Sequence, residues 1–136
     1  MHKIIAAVAA AATLLAVPAV DARPKQSGEE ELAKLLKGRE AGKPVNCIYS
    51  SQATDTRVID KTAIVYRIGG TLHVNRPSNA DLLDDDDILV TKLVGSNQLC
   101  SVDTVQLHDR TSFLWTGFVG LREFVPYRKV KVAAAD

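Results

Sequence analysis

Near the start of the chain, apolar residues recur with the spacing of an α-helix. Charged residues surround this apolar stripe, which consists of Leu32, Leu35 and Leu36. Ser27 stands three residues before Glu30, which is the spacing of a capping box, in which each side chain accepts from a free backbone N–H group. Gly38 can end the helix. The pattern therefore predicts an amphipathic helix over residues 28–37, whose apolar face we expect to pack on a sheet.

Beyond Pro44 the pattern changes to short runs of β-branched and other apolar residues, which are typical of strands. The predicted strands lie at residues 45–49, 57–60, 62–68, 71–76, 88–94 and 99–107, and a further β-rich stretch lies at 113–127. A polar loop is predicted at 77–87. In the run 99–107 the apolar positions change phase near Asp103 and Thr104, which predicts a β-bulge there.

Gly69-Gly70 separates two of these runs and predicts a two-residue β-hairpin, because both turn positions of such a loop favour positive φ. This register places Tyr66 opposite His73 and Val65 opposite Val74. Apolar residues then occupy both faces of the hairpin, so we expect both faces to be covered.

The order of these elements predicts the fold class. Strand follows strand after a single helix, without an internal repeat. We therefore expect a mainly β protein, a small curled antiparallel sheet or a partly open barrel with one N-terminal helix. Along the chain we expect a signal peptide at 1–22, a polar lead-in and amphipathic helix at 23–43, a single β-rich domain at 44–130, and a frayed tail at 131–136.

The first segment has the composition of a secretory signal peptide. Lys3 supplies a positive start, and residues 4–17 are apolar apart from Thr13. Small residues favour cleavage after Ala22, with Ala19 as the alternative site. The apolar run is shorter than the ~20 residues that span a bilayer. We therefore expect removal of the leader, no stable membrane insertion afterwards, and a location in the periplasm or outside the cell.

The chain contains two cysteines, Cys47 and Cys100. In an oxidising compartment, a small and even number of cysteines predicts a disulfide. The closed loop would hold about 54 residues, for which the chain-entropy model gives a stabilisation of ~4 kcal/mol. The alternative is a catalytic thiol or a redox pair, but the C-x-x-C spacing of a thioredoxin-like site is absent.

The charge balance narrows the classes of function. The 17 Lys and Arg residues nearly cancel the 16 Asp and Glu residues, which leaves a net charge of +1. Nucleic-acid-binding proteins normally carry a basic excess, so we expect no nucleic-acid partner. The sequence also lacks the G-x-S-x-G, P-loop and G-x-G-x-x-G motifs. We expect no enzymatic activity and no cofactor.

An acidic run is the most conspicuous charged feature. It consists of Asp84, Asp85, Asp86 and Asp87. Carboxylate oxygens suit a hard cation such as calcium, but the ligand spacing of an EF-hand is absent. We expect a solvated acidic turn and no metal site, with calcium binding as the weaker alternative.

The histidines beyond the leader are His73 and His108, and their positions lack the close spacing of metal ligands. We expect His73 to pack against or hydrogen-bond with Tyr66. A zinc or acid–base role for the two histidines is the alternative.

The stretch 113–121 combines aromatic residues with glycines, a composition found in ligand grooves and interface patches as well as in cores. We expect Phe118 and Phe124 to lie in the core. The candidate residues for a ligand or partner surface are Phe113, Trp115, Tyr66 and His73.

Several short motifs occur in a characteristic order along the chain. They are Cys47-Ile48, Arg57-Val-Ile-Asp60, the segment from Ile64 through Gly69-Gly70 to Pro77, Leu99-Cys100-Ser-Val-Asp103, and Gly117-Phe-Val-Gly-Leu-Arg-Glu-Phe-Val-Pro-Tyr127. In these motifs the chain resembles a family of small exported proteobacterial proteins of sphingomonad type, classed as a domain of unknown function. The resemblance covers about residues 29–128. It implies export and one small domain, and it implies no activity.

These observations together predict a small exported β-rich protein that acts as a non-enzymatic binding or interaction module. We expect its partner to be an unknown protein or a component of the cell envelope. Two alternatives remain open: a secreted enzyme inhibitor that inserts the loop 77–87, and a small metal-dependent hydrolase that uses His73, His108 and the acidic run.

Overall fold

The computed structural model describes residues 24–131, which contain one α-helix and ten strands. The helix α1 spans Gly28–Leu35, and the strands are β1 Arg39–Ala41, β2 Cys47–Ile48, β3 Ala53–Ile59, β4 Ala63–Ile68, β5 Thr71–Asn75, β6 Asp87–Thr91, β7 Leu99–Cys100, β8 Thr104–Asp109, β9 Trp115–Gly120 and β10 Phe124–Lys129. Short 3-10 helices lie at Ser50–Gln52 and Ala80–Leu82. The predicted signal peptide at 1–22 and residues 132–136 of the predicted tail lie outside the described residues.

The strands form three antiparallel sheets. The largest has the order β1-β10-β5-β4-β3, the second has the order β6-β8-β9, and the smallest pairs β2 with β7. None of these sheets closes into a barrel within residues 24–131. The mainly β class with one N-terminal helix is thus confirmed. The strand β1 lies in the predicted lead-in at 23–43 and adds an edge strand that the sequence pattern did not predict.

The helix α1 begins at its predicted residue because both bonds of the capping box are made. The Glu30 amide donates to Ser27 Oγ at 3.3 Å, and the Ser27 amide donates to Glu30 Oε2 at 3.1 Å. The helix ends at Leu35, two residues earlier than predicted. Leu36 caps it, and Gly38 then adopts a φ of 74° as the chain turns into β1.

The helix covers the outer face of the five-stranded sheet. Leu32 is 1% exposed and lies in an apolar cluster with residues of β3, β4 and β5. The sheet residues of this cluster are Ile59, Ala63, Val65, Leu72 and Val74. The first helical residue is Gly28, and a Cβ there would overlap the backbone of Asp60 and the side chain of Thr62. Only glycine therefore allows this close approach between the helix and the β3–β4 turn.

A second and larger core lies between the five-stranded sheet, the three-stranded sheet and the β2–β7 ribbon. Its buried residues are Ile48, Ile64, Tyr66, Leu83, Leu99, Val105, Leu107, Val119, Leu121 and Phe124. The strand β4 therefore contributes to both cores, one with each face. Its hairpin with β5 has the predicted register, because Tyr66 lies opposite His73 and Val65 opposite Val74.

The prediction of one bulged strand over residues 99–107 is wrong. The chain forms two strands in different sheets, β7 and β8, separated by a turn. Asp103 makes this corner: its carboxylate accepts from the Cys100 amide at 2.7 Å, and its own amide donates to the Cys100 carbonyl at 3.0 Å. The phase change in the sequence therefore marks a passage between sheets, which a local pattern does not distinguish from a bulge.

The predicted disulfide joins Cys47 and Cys100, with an S–S distance of 2.10 Å. The two residues lie directly opposite one another in the β2–β7 ribbon. The cross-link therefore ties the strand that follows β1 in the sequence to the strand that precedes β8.

Candidate interaction surface

The three-stranded sheet has one face in the core and one face in solvent. Val105 and Leu107 of β8 are buried in the core between the sheets. Successive strand residues point to opposite faces, so Gln106 between them points outward. Gln106 lies opposite Val90 of β6 and Phe118 of β9. Directly opposite residues share a face, and these three side chains therefore form one row on the outer face.

A second row lies beside the first and consists of Ile88, His108 and Trp115. The register between β8 and β9 shifts here, because Thr116 is an extra residue on β9. This bulge places Trp115, rather than Thr116, opposite His108. The aromatic ring of Trp115 thus joins the outer face.

The turn between β8 and β9 extends the exposed apolar surface. Asp109 Oδ1 accepts bonds from the amides of Thr111 and Ser112 at 3.1 and 2.7 Å, and from the Ser112 hydroxyl at 2.8 Å. The bonds from Ser112, first from its amide, lower the pKa of Asp109. In this turn Phe113 adopts a φ of 58°, which is uncommon for a bulky residue, and it is 70% exposed.

We call the exposed apolar surface of this sheet and turn the aromatic face. It consists of Val90, Phe113, Leu114, Trp115 and Phe118. Within residues 24–131 these side chains remain between 41% and 70% exposed. Soluble monomers rarely leave large contiguous apolar patches in water, and such patches often mark interaction sites. The aromatic face is therefore the strongest candidate for a functional surface in the described part of the chain.

The outer edge of the three-stranded sheet is fixed by one side chain. Asn79 Nδ2 donates to the Phe118 carbonyl at 2.8 Å, and the Gly120 amide donates to Asn79 Oδ1 at 3.0 Å. The amide of Asn79 thus pairs with β9 as a peptide group of a neighbouring strand would. This contact holds β9 in the register that presents Phe118 on the outer face.

The four residues predicted as a ligand or partner surface lie in two separate places. Phe113 and Trp115 belong to the aromatic face, whereas Tyr66 and His73 form a cross-strand pair in the β4–β5 hairpin. Tyr66 is 4% exposed and packs edge-on against Phe124, with ring centroids 5.9 Å apart. The prediction of a surface role for Tyr66 is wrong, because this face of the hairpin packs in the core between the sheets.

The burial of this hairpin also changes its titration. Burial raises the pKa of the Tyr66 hydroxyl. His73 is only partly buried, and burial together with the nearby positive charge of Arg128 lowers its pKa. His73 therefore tends to stay neutral at physiological pH, as a packing residue would.

Phe118 is the residue whose role the sequence analysis predicted wrongly within the aromatic face. We expected it in the core with Phe124, but Phe118 is 52% exposed and Phe124 is 0% exposed. The fully buried neighbour of Phe118 is Val119. Strict alternation from Val119 places Phe118 outward, and that signal was available in the sequence.

Part of the acidic run belongs to a cluster of three carboxylates. Asp60, Asp84 and Asp85 can bring one oxygen each within 4.8 Å of one another, and this is the one such group of potential metal ligands among the described residues. The ammonium group of Lys25 lies 3.6 Å from Asp60 and 3.3 Å from Asp85. A cation of the chain itself therefore offsets part of the charge of this cluster, and His73 and His108 do not belong to it.

The other part of the acidic run is structural. Asp86 pairs with Arg110 at 3.2 Å. Asp87 is 8% exposed and accepts from the amide of Asp84 at 3.1 Å. Burial raises the pKa of Asp87. The expectation of a solvated turn is therefore wrong for Asp87. Its buried carboxylate binds the backbone of the turn that leads into β6.

The segment 77–87, which an inhibitor would insert into its target, packs on the body of the protein. Pro77, Leu83 and Asp87 are buried. The amide of Lys61 donates to the Leu83 carbonyl at 3.0 Å, and the amide of Ser78 donates to the Gly120 carbonyl at 3.0 Å. The segment does not have the free, protruding form that an inhibitory loop requires.

An open groove of about 560 Å³ is lined by residues of β5 and β10 and of the segments before β2, after β7 and before β10. Its apolar floor includes Val74, Val125 and Tyr127, and Arg76 stands at its rim. A bidentate ion pair with Glu29, at 2.6 and 3.1 Å, already engages the guanidinium group of Arg76. The exposed charged residues Arg122 and Glu123 also line the groove.

Two further observations complete the description of the chain. No helix among residues 24–131 is both long and apolar enough to cross a membrane. Comparisons with protein-family models, with curated protein sequences and with solved structures find no significant match. The resemblance to a family of small exported proteins thus stays a prediction, and the function must be argued from the molecule itself.

Proposed function

We propose that this protein is an exported, non-enzymatic interaction module that binds a protein or a component of the cell envelope through its aromatic face. The observation that carries the proposal is the exposure of Trp115 and Phe118 on the outer face of the three-stranded sheet, together with that of Phe113 in the adjoining turn. Removing apolar surface from water by contact with another molecule contributes a favourable free energy of roughly 25 cal/mol per Å². Aromatic side chains also dominate the energetics of protein interfaces.

The disulfide supports the location in this proposal. A Cys47–Cys100 bond is compatible with an oxidising compartment such as the periplasm or the extracellular space. The apolar segment at residues 4–17 has the composition of an export signal. We place the protein in the periplasm or outside the cell, where a stable disulfide can form and be kept.

Photo-crosslinking in living cells tests the interaction directly. A photoreactive phenylalanine analogue is placed at Phe118 in one variant and at Val102 in a matched control, since Val102 is 87% exposed and lies outside the aromatic face. On irradiation we expect an adduct of higher mass from position 118 and none from position 102. Absence of any adduct at 118, or equal adducts at both positions, would contradict the proposal.

Cell fractionation tests the location. We expect the protein in the fraction released by osmotic shock or in the medium, shortened by its leader, with both thiols unreactive until a reductant is added. Recovery of an unshortened, thiol-reactive protein in the cytosol would contradict it.

A further inference from the structure

We infer that the partner on the aromatic face is a second copy of this chain, packed face to face across a two-fold axis parallel to β8. This inference rests on the proposed function, because it names the occupant of the same surface. Homodimers with such symmetry are the commonest oligomers, and both copies use the same patch.

The shape of the face favours its own copy. One side of the face, on β6, carries the aliphatic residues Ile88 and Val90, and the other side, on β9, carries the larger rings of Trp115 and Phe118. A two-fold axis along the central strand places the aromatic column of each copy over the aliphatic column of the other. The large aromatic side chains of one copy thus meet the smaller aliphatic side chains of the other, so that the two faces can interdigitate as packed sheets do.

The polar residue at the centre of the face fits the same arrangement. Gln106 lies in the middle of its row, between Val90 and Phe118. On the axis, Gln106 meets Gln106 of the second copy. A primary amide carries both donors and an acceptor, so two such groups can satisfy one another through paired N–H···O bonds.

The charges of the face and of the whole chain permit the pairing. Neither of the two rows contains an Asp, Glu, Lys or Arg residue. The chain has a net charge of +1, so two copies repel one another only weakly.

The aromatic side chains supply the apolar centre of such a dimer. Aromatic side chains bury about 150–250 Å² each, so the exposed fractions of Phe113, Trp115 and Phe118 supply roughly 350 Å² per copy. Val90 and Leu114, 41% and 68% exposed, add to this centre. A standard interface buries ~800 Å² per partner, so Ile88, Gln106, His108 and the rim of the face supply the remainder.

Sedimentation of the purified exported protein over a concentration series tests the inference. We expect the mass to rise from one chain to two as the concentration increases. Trp115 is the only tryptophan of the chain, so its fluorescence emission should shift to shorter wavelength over the same range as the ring leaves water.

Variants on and off the face locate the contact. Phe118→Lys should weaken dimerisation by about 100-fold or more, because it places a charge in the centre of the contact. Val102→Lys, at an exposed position outside the face, should sediment as the unchanged protein does. Melting temperatures close to that of the unchanged protein would show that both variants fold.

A charge-swap at Gln106 tests the two-fold axis itself. Gln106→Glu and Gln106→Lys should each remain single chains, since like charges would meet on the axis. An equimolar mixture of the two variants should recover the dimer.

The outcomes separate the two proposals. A single chain at every concentration, a dimer that survives Phe118→Lys, or a mixture that fails to recover the dimer overturns the inference. If the protein is a single chain but position 118 still crosslinks in cells to a different molecule, this inference fails and the interaction function stands. If position 118 gives no adduct and no dimer forms, both fail.

Discussion

The two outer faces of this molecule both carry apolar side chains but meet different surroundings. On the five-stranded sheet, α1 covers the outer face and leaves Leu32 1% exposed. On the three-stranded sheet, the outer face stays open, with Trp115 60% and Phe118 52% exposed. The inner faces of both sheets share one core. The apolar residues on one face are thus covered by the chain's own helix, while those on the other face remain exposed.

The largest expected effect comes from removing the disulfide, which tests whether the two faces belong to one cooperative unit. Replacing both Cys47 and Cys100 by Ser should lower the free energy of unfolding by about 4 kcal/mol, because the open chain gains the entropy of the released loop. Denaturant unfolding followed by circular dichroism and by Trp115 fluorescence measures it. We expect both signals to shift together. An unchanged midpoint would contradict the stabilising role of the cross-link.

A matched pair of truncations compares the two faces directly. Leu32→Ala should lower the free energy of unfolding by about 3 kcal/mol, because it leaves a cavity under the helix. Phe118→Ala should change it by no more than about 0.5 kcal/mol, because its ring is largely in water already. Urea titration of both variants gives the values. Similar losses from the two variants would show that the open face also contributes to the stability of the single chain.

The close approach of α1 to the sheet gives a third test. Gly28→Ala should cost about 2 kcal/mol, since the new methyl group overlaps the backbone of Asp60 and lifts the helix from its face. Gly70→Ala is the control, because a Cβ at Gly70 meets no atom within 4 Å. Thermal unfolding of both proteins measures the difference. Equal melting temperatures would mean that the helix can shift at no cost.

The smallest expected effect is the loosening of the β8–β9 turn at low pH, when Asp109 becomes protonated. The pKa of Asp109 is lower in the folded protein than its ordinary value of 3.8. The charged carboxylate therefore stabilises the turn above about pH 4, and this contribution is lost as the pH falls through the lowered folded value. Hydrogen exchange at the Ser112 amide should accelerate there, relative to the Gly120 amide, which is bonded to the neutral side chain of Asn79. Asp109→Asn should remove this pH dependence.

The parts of the fold that short-range patterns determine were predictable. The capping box at Ser27 and Glu30 fixed the start of α1, and Gly69-Gly70 fixed the register of the β4–β5 hairpin. The pairing of Cys47 with Cys100 followed from their number and from the expected compartment. The helix start and the hairpin register depend on residues that are close in sequence, and two cysteines can form only one intramolecular pair.

The candidate site was predicted only in part, because it depends on which faces of the sheets are covered by other parts of the chain. Trp115 and Phe113 were identified from composition, but Phe118 was assigned to the core and Tyr66 to the surface. Tyr66 was misplaced because the sequence shows that a strand has two faces and does not show what packs on each, whereas alternation from Val119 already places Phe118 outward. The corner at Asp103, which separates β7 from β8, was missed for a related reason, since a bulge and a passage between sheets produce the same change of phase.

The amide of Asn79, bound to the Phe118 carbonyl and the Gly120 amide, has a consequence for how far association can proceed. A strand from another chain that approached β9 there would find those backbone groups already occupied. Growth by edge-to-edge strand addition is thereby blocked at this border. Contacts through the flat side of the sheet close after two copies, so a single asparagine helps to favour a finite pair over an open-ended fibre.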